Sequence, residues 1–175
     1  MKWYRKFDVD MPSEFMTVCK HYVVNNDPEP PFKYFTVGDS AMWTIWHDYI
    51  TSDYIADARE LVSNTTGLSL GHKKGFVVLW RFDDNFKRSP IHIDIGRGAG
   101  GNHNGSICTA LVGDFKLHRH GNDAAQTIID SVELNDKSLV ALNNTRFPHS
   151  VEGNGILVVF GVDLDTDPEE YWRDD

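Results

Sequence analysis

Two histidines and one aspartate are the residues of this sequence best suited to do chemistry. His92 and Asp94 stand two apart in the run PIHIDI, and His149 follows Asp94 by 55 residues in FPHSVE. Side chains of an extended strand alternate between faces, so His92 and Asp94 share one side while Ile91, Ile93 and Ile95 share the other. That alternation predicts a strand whose isoleucines enter the core and whose two polar donors stand together opposite them. His-x-Asp alone fits equally a half-buried strand with its polar face in water. A third donor changes the reading. Two imidazoles and one carboxylate on one face of a metal leave positions open for substrate and oxygen, the ligand set of non-haem iron(II) centres.

The residues after the aspartate offer a rival. Gly96 to Gly101, GRGAGG, is a literal G-x-G-x-x-G. A dinucleotide-binding loop needs a strand before the glycines and a helix after them, with the helix N-terminus facing a pyrophosphate. Here Asn102-His103-Asn104-Gly105 and then a β-type run follow, and no Lys-Ser/Thr closes the loop. The stretch is therefore expected to be a connection between strands, with a lid over a substrate as its functional version and His103 as a possible substrate contact.

The elements that must position these residues can be read from periodicity. From Gly75 onward, eight short β-type runs succeed one another: 76–82, 90–95, 106–112, 115–120, 126–134, 138–143, 147–152 and 156–164. Gly113-Asp114 and Gly153-Asn154-Gly155 are among the turn signals between them. Such spacing predicts a mainly β sandwich, barrel or jelly roll. Upstream, Phe15, Val18, Cys19 and Tyr22 recur at helical spacing over 13–24, with Ser13 as N-cap. Ile55, Ala58, Leu61 and Val62 do so over 52–63, with Ser52 as N-cap. These helices are expected to pack outside one sheet. Residues 1–175 then form a single domain: a helical N-terminal part (1–75), a jelly-roll core (76–164) and an acidic tail (165–175). The aromatic segment 33–49 is expected to pack over a sheet.

With that order of elements, the sequence resembles the double-stranded β-helix, or jelly-roll, iron(II)/2-oxoglutarate-dependent oxygenases. The resemblance rests on HID (92–94) and on NNTRFPHSVEGN (143–154), which is similar to the family's Asn-x-x-x-Pro-His-x-Val segment. It is greatest to the small hydroxylases related to prolyl and aspartyl/asparaginyl hydroxylases. The resemblance implies His92, Asp94 and His149 as ligands of Fe(II), 2-oxoglutarate as cosubstrate, and hydroxylation of an amino acid, a peptide side chain or a small metabolite. One feature departs from the family. An Arg for the 2-oxoglutarate carboxylate is expected about ten residues after the second histidine, and residues 154–163 contain no basic residue. Some relatives place a Lys on the fourth jelly-roll strand, where Lys116 lies; Arg119 and Arg146 are the other candidates, and each of the three is equally readable as a surface cation.

Two alternatives stay open. His118-Arg119-His120 with His149 suggests a cupin-like metal site, although no Glu follows at cupin spacing. The missing late Arg fits a non-catalytic jelly-roll binding protein. Composition narrows the remaining classes. The net charge is −9, and Asp163 to Asp175 contribute seven acids and one Arg, so the chain is poor material for non-specific nucleic-acid binding. Asp163-x-Asp165-x-Asp167 lacks the Gly and Glu of a calcium loop, and a solvated acidic tail is expected there. There is no apolar run of membrane-spanning length, and the start MKWYRKFDVDMPSEF, lacking an apolar stretch, is not expected to be a secretory signal. Cys19 and Cys108 are expected to be buried, reduced thiols, which places the protein in the cytoplasm.

Overall fold

Burial runs unbroken along stretches of the central strands, so both faces of the sheet must be covered there. In the computed structural model, which describes residues 1–29, 41–46, 53–70, 76–94, 105–162 and 168–174, β6 (Ser138–Leu142) is buried at every position. Leu139 and Ala141 point into one apolar cluster and Val140 and Leu142 into another. The sheet order is β1-β6-β4-β7-β3-β2, all antiparallel, with β5 paired to β4 off this path. The strands are β1 (Tyr4–Asp8), β2 (Ala41–Trp46), β3 (Phe76–Phe82), β4 (Ser106–His120), β5 (Ile128–Leu134), β6 and β7 (His149–Gly161).

The first cluster lies beneath the helices. From α1 (Ser13–Asn25), Phe15 and Cys19 are fully buried; from α2 (Asp53–Thr66), Ile55, Ala58 and Val62 are. They pack on Val77, Leu79, Ile107, Val158 and Phe160 of the sheet, with Phe15 stacked on Phe160 at 5.8 Å between ring centroids. Burial of each such side chain contributes about 1.5–3 kcal/mol. The second cluster fills the opposite face with Trp80, Phe82, Phe86, Phe115, Leu117, Val132 and Leu157. It forms the floor on which the candidate site is built.

Two strands run through positions that read as turns. Gly113 and the Gly153–Gly155 stretch do not end hairpins; they lie inside β4 and β7, which remain paired from Ser106↔Gly161 to Arg119↔His149. Gly113 has φ +83 and Gly155 φ +136, and a Cβ on either would fall 1.9 Å from a carbonyl oxygen of the facing strand. Only glycine allows that approach. A register shift between Ala110 and Val112 adds a bulge at the same level. Beyond this joint the neighbours change. The first part of β4 lies beside β6, and the second beside β5. The first part of β7 is flanked by the segment 88–92 through the bridges Arg88↔Glu152 and His92↔His149, and its last part by β3.

Several expectations need correction. Residues 1–75 are not only helical: β1 pairs with β6 and β2 with β3, so this part supplies both outer strands of the main sheet. Pro12, not Ser13, occupies the N-cap of α1, and no side chain caps it. Ser13 instead hydrogen-bonds Glu14. The C-terminal part is not simply solvated. A short helix α3 (Pro168–Tyr171) leads to Trp172, which is fully buried, and the Tyr171 hydroxyl donates to the Thr66 carbonyl at 2.8 Å. Ser52, the calcium-loop-like 163–167 and part of 33–49 lie outside the described residues.

Candidate metal centre

The backbone brings the two histidines together. His92 N–H donates to the His149 carbonyl at 3.0 Å, and His149 N–H donates to the His92 carbonyl at 2.9 Å. Residues exchanging both bonds sit directly opposite with side chains on one face. Their rings are 4.3 Å apart between centroids. Asp94 is anchored one step further on, its N–H donating to the Asn144 carbonyl at 2.9 Å. Asp94 Oδ1 then lies 3.2 Å from His92 Nε2 and 3.8 Å from His149 Nε2. One donor atom from each of the three residues falls within 4.8 Å of the others.

Each ligand atom is aimed by a second contact. His92 Nδ1 donates to the Pro90 carbonyl at 2.8 Å, and His149 Nδ1 to the Phe147 carbonyl at 3.1 Å. A carbonyl oxygen only accepts, so Nδ1 carries the hydrogen in both rings and the Nε2 lone pairs are directed at the shared space. Asp94 Oδ2 accepts from Asn144 Nδ2 at 2.6 Å, and that nitrogen also donates to Ser106 Oγ at 2.7 Å. The carboxylate thus has one oxygen committed and one presented to the imidazoles.

Electrostatics separate the two histidines. Burial, followed by the neighbouring His92 charge, pushes His149 down to about 4, so it is neutral near pH 7 and already in the form a metal needs. Burial also pulls His92 down, but the hydrogen bond and charge of Asp94 more than offset it, and its pKa is raised. The His92–Asp94 contact that favours a proton on His92 spans the place a cation would take.

The face predicted for the isoleucines is reversed. Ile93 is 45% exposed, whereas the side chains of His92 and Asp94 are about a quarter exposed and turn inward with His149. The run 90–95 is not a regular strand either; within its described residues His92 alone forms a bridge. The physical reason is that the polar donors, not the aliphatic ones, face the interior here, where they satisfy one another. Ile95, the Gly-rich stretch 96–101 and His103 lie outside the described residues.

Of the three candidate cations, only Arg119 shares the face of the candidate metal ligands. It stands opposite His149 in the β4–β7 register, and its guanidinium lies over the Phe147 ring at 4.3 Å. Its Nε is buried without a hydrogen-bond partner. Lys116 is on the opposite face, exposed and 3.9 Å from Glu133. Arg146 points outward and pairs with Glu169 at 2.7 Å. Val159, ten residues beyond His149, packs against the interior cluster where the family's late Arg is expected.

His118 and His120 belong to the opposite face and are occupied there. His118 contacts Ser131 Oγ at 2.7 Å and Glu152 at 3.0 Å; His120 contacts the Gln126 carbonyl at 2.7 Å and Ser150 Oγ at 2.8 Å. Among the described residues, His92, Asp94 and His149 form the one cluster of three such donors. His47 and His72 lie outside those residues.

Four residues around the site are not singled out by sequence reasoning: Asn144, Ser106, Trp3 and Asp130. Asn144 carried a signal, since it is the Asn of the segment NNTRFPHSVEGN. The others did not, because their roles depend on strand neighbours distant in sequence.

No protein-family model matches the chain, and no curated protein matches it in sequence. Solved structures match it in fold. A prolyl-4-hydroxylase of Pseudomonas putida superposes with a TM-score of 0.58 at 12% identity, covering 92% of this chain and 93% of that one. A Trichoplax adhaerens prolyl hydroxylase, solved in complex with a hypoxia inducible factor oxygen degradation domain peptide fragment, gives 0.57 at 12% identity, covering 91% and 83%. HygX from Streptomyces hygroscopicus, solved with nickel and 2-oxoglutarate bound, gives 0.55 at 11% identity, covering 93% and 83%. This chain therefore has the mainly β fold of these proteins.

Proposed function

We propose that this protein is a non-haem iron(II), 2-oxoglutarate-dependent oxygenase whose metal ligands are His92, Asp94 and His149. The observation that carries the reading is the convergence of three donor atoms within 4.8 Å. Each is aimed by its own second contact. The donor set suits the group: two neutral imidazoles and one carboxylate, with the rest of the coordination sphere left for small ligands. When bound, iron(II) with 2-oxoglutarate and oxygen would supply the oxidising power to hydroxylate an unactivated C–H bond, with succinate and carbon dioxide as the other products.

The chain's own residues would bind and orient. Asn144 fixes which oxygen Asp94 presents, and the Pro90 and Phe147 carbonyls fix both ring tautomers. Arg119 would receive the distal carboxylate of 2-oxoglutarate. It is a half-buried guanidinium in register with His149, and its buried Nε has no partner to lose. The aromatic floor of Trp80, Phe82, Phe86 and Phe115 would exclude water from one side of the site. An amino acid, a peptide side chain or a small metabolite is the proposed substrate, and the relation to prolyl and aspartyl/asparaginyl hydroxylases is the subfamily we favour. The likeness in fold to two prolyl hydroxylases supports it. Two free, buried thiols, Cys19 and Cys108, support a reducing, cytoplasmic location. No described helix is long and apolar enough to cross a membrane.

The test is turnover of 2-oxoglutarate. Protein supplied with Fe(II), oxygen and 2-oxoglutarate is expected to release succinate, and His149→Ala and Asp94→Ala to abolish both metal binding and turnover. Tight metal binding with no affinity for 2-oxoglutarate would sink the proposal in favour of a metal-binding jelly roll without oxygenase activity.

A further inference from the structure

Four residues form a row across the sheet: Asp130 of β5 opposite Arg119 of β4, Arg119 opposite His149 of β7, and His149 opposite His92. Directly opposite residues share a face, with Cβ atoms about 4.5–5.5 Å apart. A carboxylate and a guanidinium in that relation ordinarily pair. Here they do not. Asp130 Oδ2 accepts from the Trp3 indole Nε1–H at 2.8 Å, and Oδ1 accepts from the Ser131 N–H at 2.8 Å. Both oxygens are engaged away from Arg119, which stacks on Phe147 instead.

Trp3 is well placed to impose this. Its side chain is buried, packed edge-on against Tyr4 at 5.0 Å between ring centroids. Its carbonyl accepts from the Asn143 N–H at 2.9 Å, which ties it to the segment that holds Asp94. Asp130 is exposed and free to change rotamer once the indole lets go. We infer that Trp3 is a positioning residue that latches Asp130 away from Arg119 and so reserves the guanidinium for the incoming dicarboxylate. Without the latch, Asp130 swings across the row and competes with the ligand from inside the chain. The inference rests on Arg119 binding 2-oxoglutarate, and its test must separate the two.

Calorimetric titration of the Mn(II)-loaded full chain with 2-oxoglutarate does so. Trp3→Phe, which keeps an aromatic ring and removes the N–H, is expected to weaken 2-oxoglutarate by roughly fivefold, the scale of a competing partly exposed ion pair. Adding Asp130→Asn in the Trp3→Phe background is expected to restore wild-type affinity, and Mn(II) affinity should be the same throughout. A merely structural indole would not be rescued by neutralising Asp130. If Trp3→Phe has no effect, or its effect survives Asp130→Asn, the latch is overturned. If Arg119→Met leaves 2-oxoglutarate affinity unchanged, the reading of Arg119 itself fails. Should Trp3→Phe not fold, as judged by its thermal transition, Trp3→Met fills the same space without the donor and is read the same way.

Discussion

Replacing Arg119 by Met should move ligand affinity strongly while moving the stability of the ligand-free protein hardly at all. In the free protein the buried Nε has no partner, which costs about 1–3 kcal/mol. The guanidinium recovers about 0.5–2 kcal/mol from the face of Phe147. Met retains much of the packing of the Arg stem. These effects nearly cancel, so Arg119→Met should lie within about 1 kcal/mol of wild type. With 2-oxoglutarate bound the balance changes. A bidentate, charge-assisted pair contributes about 1.5–3 kcal/mol, so its loss raises Kd by about 10- to 150-fold. Thermal melting with and without 2-oxoglutarate, on Mn(II)-loaded protein, reads both quantities. At a ligand concentration 100 times the wild-type Kd, wild type should gain about 2.7 kcal/mol and the variant only about 0.3–1.4 kcal/mol. A variant that loses more than about 2 kcal/mol without ligand, yet binds 2-oxoglutarate normally, would show Arg119 to be a packing residue and refute the reasoning.

Three further outcomes follow from the same geometry. Asn144→Ala removes the Nδ2 donor to Asp94 Oδ2 and should weaken divalent-metal affinity by about 10–100-fold in a direct metal titration, with the fold retained. Metal affinity should fall as pH drops through the raised pKa of His92, because the cation must displace its proton, while His149 stays neutral down to about 4. Calorimetry in buffers of different ionisation enthalpy should register about one proton released per metal on the acid side of the His92 transition, and Asp94→Asn should abolish that pattern. Gly155→Ala puts a methyl group 1.9 Å from the Val112 carbonyl oxygen at φ +136, and should cost more than about 2 kcal/mol in thermal or denaturant unfolding.

Much of the site could be read from the sequence, and the reasons for the rest are physical. The three donors are legible because residue types able to ligate a metal are chemically distinctive and their order along strands is constrained. Which way they face was not. Alternation tells that His92 and Asp94 share a side, yet it cannot say which side is inward when the interior holds a polar site. The same limit hides β1 and β2. YRKFD carries too few apolar residues to announce a strand, and it becomes one because β6 offers it an edge at Tyr4↔Leu142 through Asp8↔Ser138. Gly113-Asp114 and Gly153-Asn154-Gly155 read as turns because glycine beside Asp or Asn most often marks one. In this fold it marks the place where two long strands touch, a distinction carried by the partner strand and not by the local sequence.

That joint explains how a cation on β4 could take the role proposed for Arg119, where the family resemblance puts one on the last strand. Past Gly113 and Gly155, β4 and β7 continue side by side as far as Arg119 and His149. The backbone of a cation on β4 therefore stands one strand spacing, about 4.8 Å, from that of His149, and its long side chain would supply the remaining reach to the candidate centre. The space ten residues beyond His149 is then filled by Val159, packed into the interior cluster. Placing the cation on β4 has a consequence of its own, because β4 there borders β5 and sets Arg119 against Asp130. A cation at Val159 would instead have Val78 and Cys108 beside it, and no carboxylate in register. The Trp3 contact to Asp130 is then what the proposed site on β4 requires: a guanidinium there faces a carboxylate in register, and the indole holds one oxygen of that carboxylate.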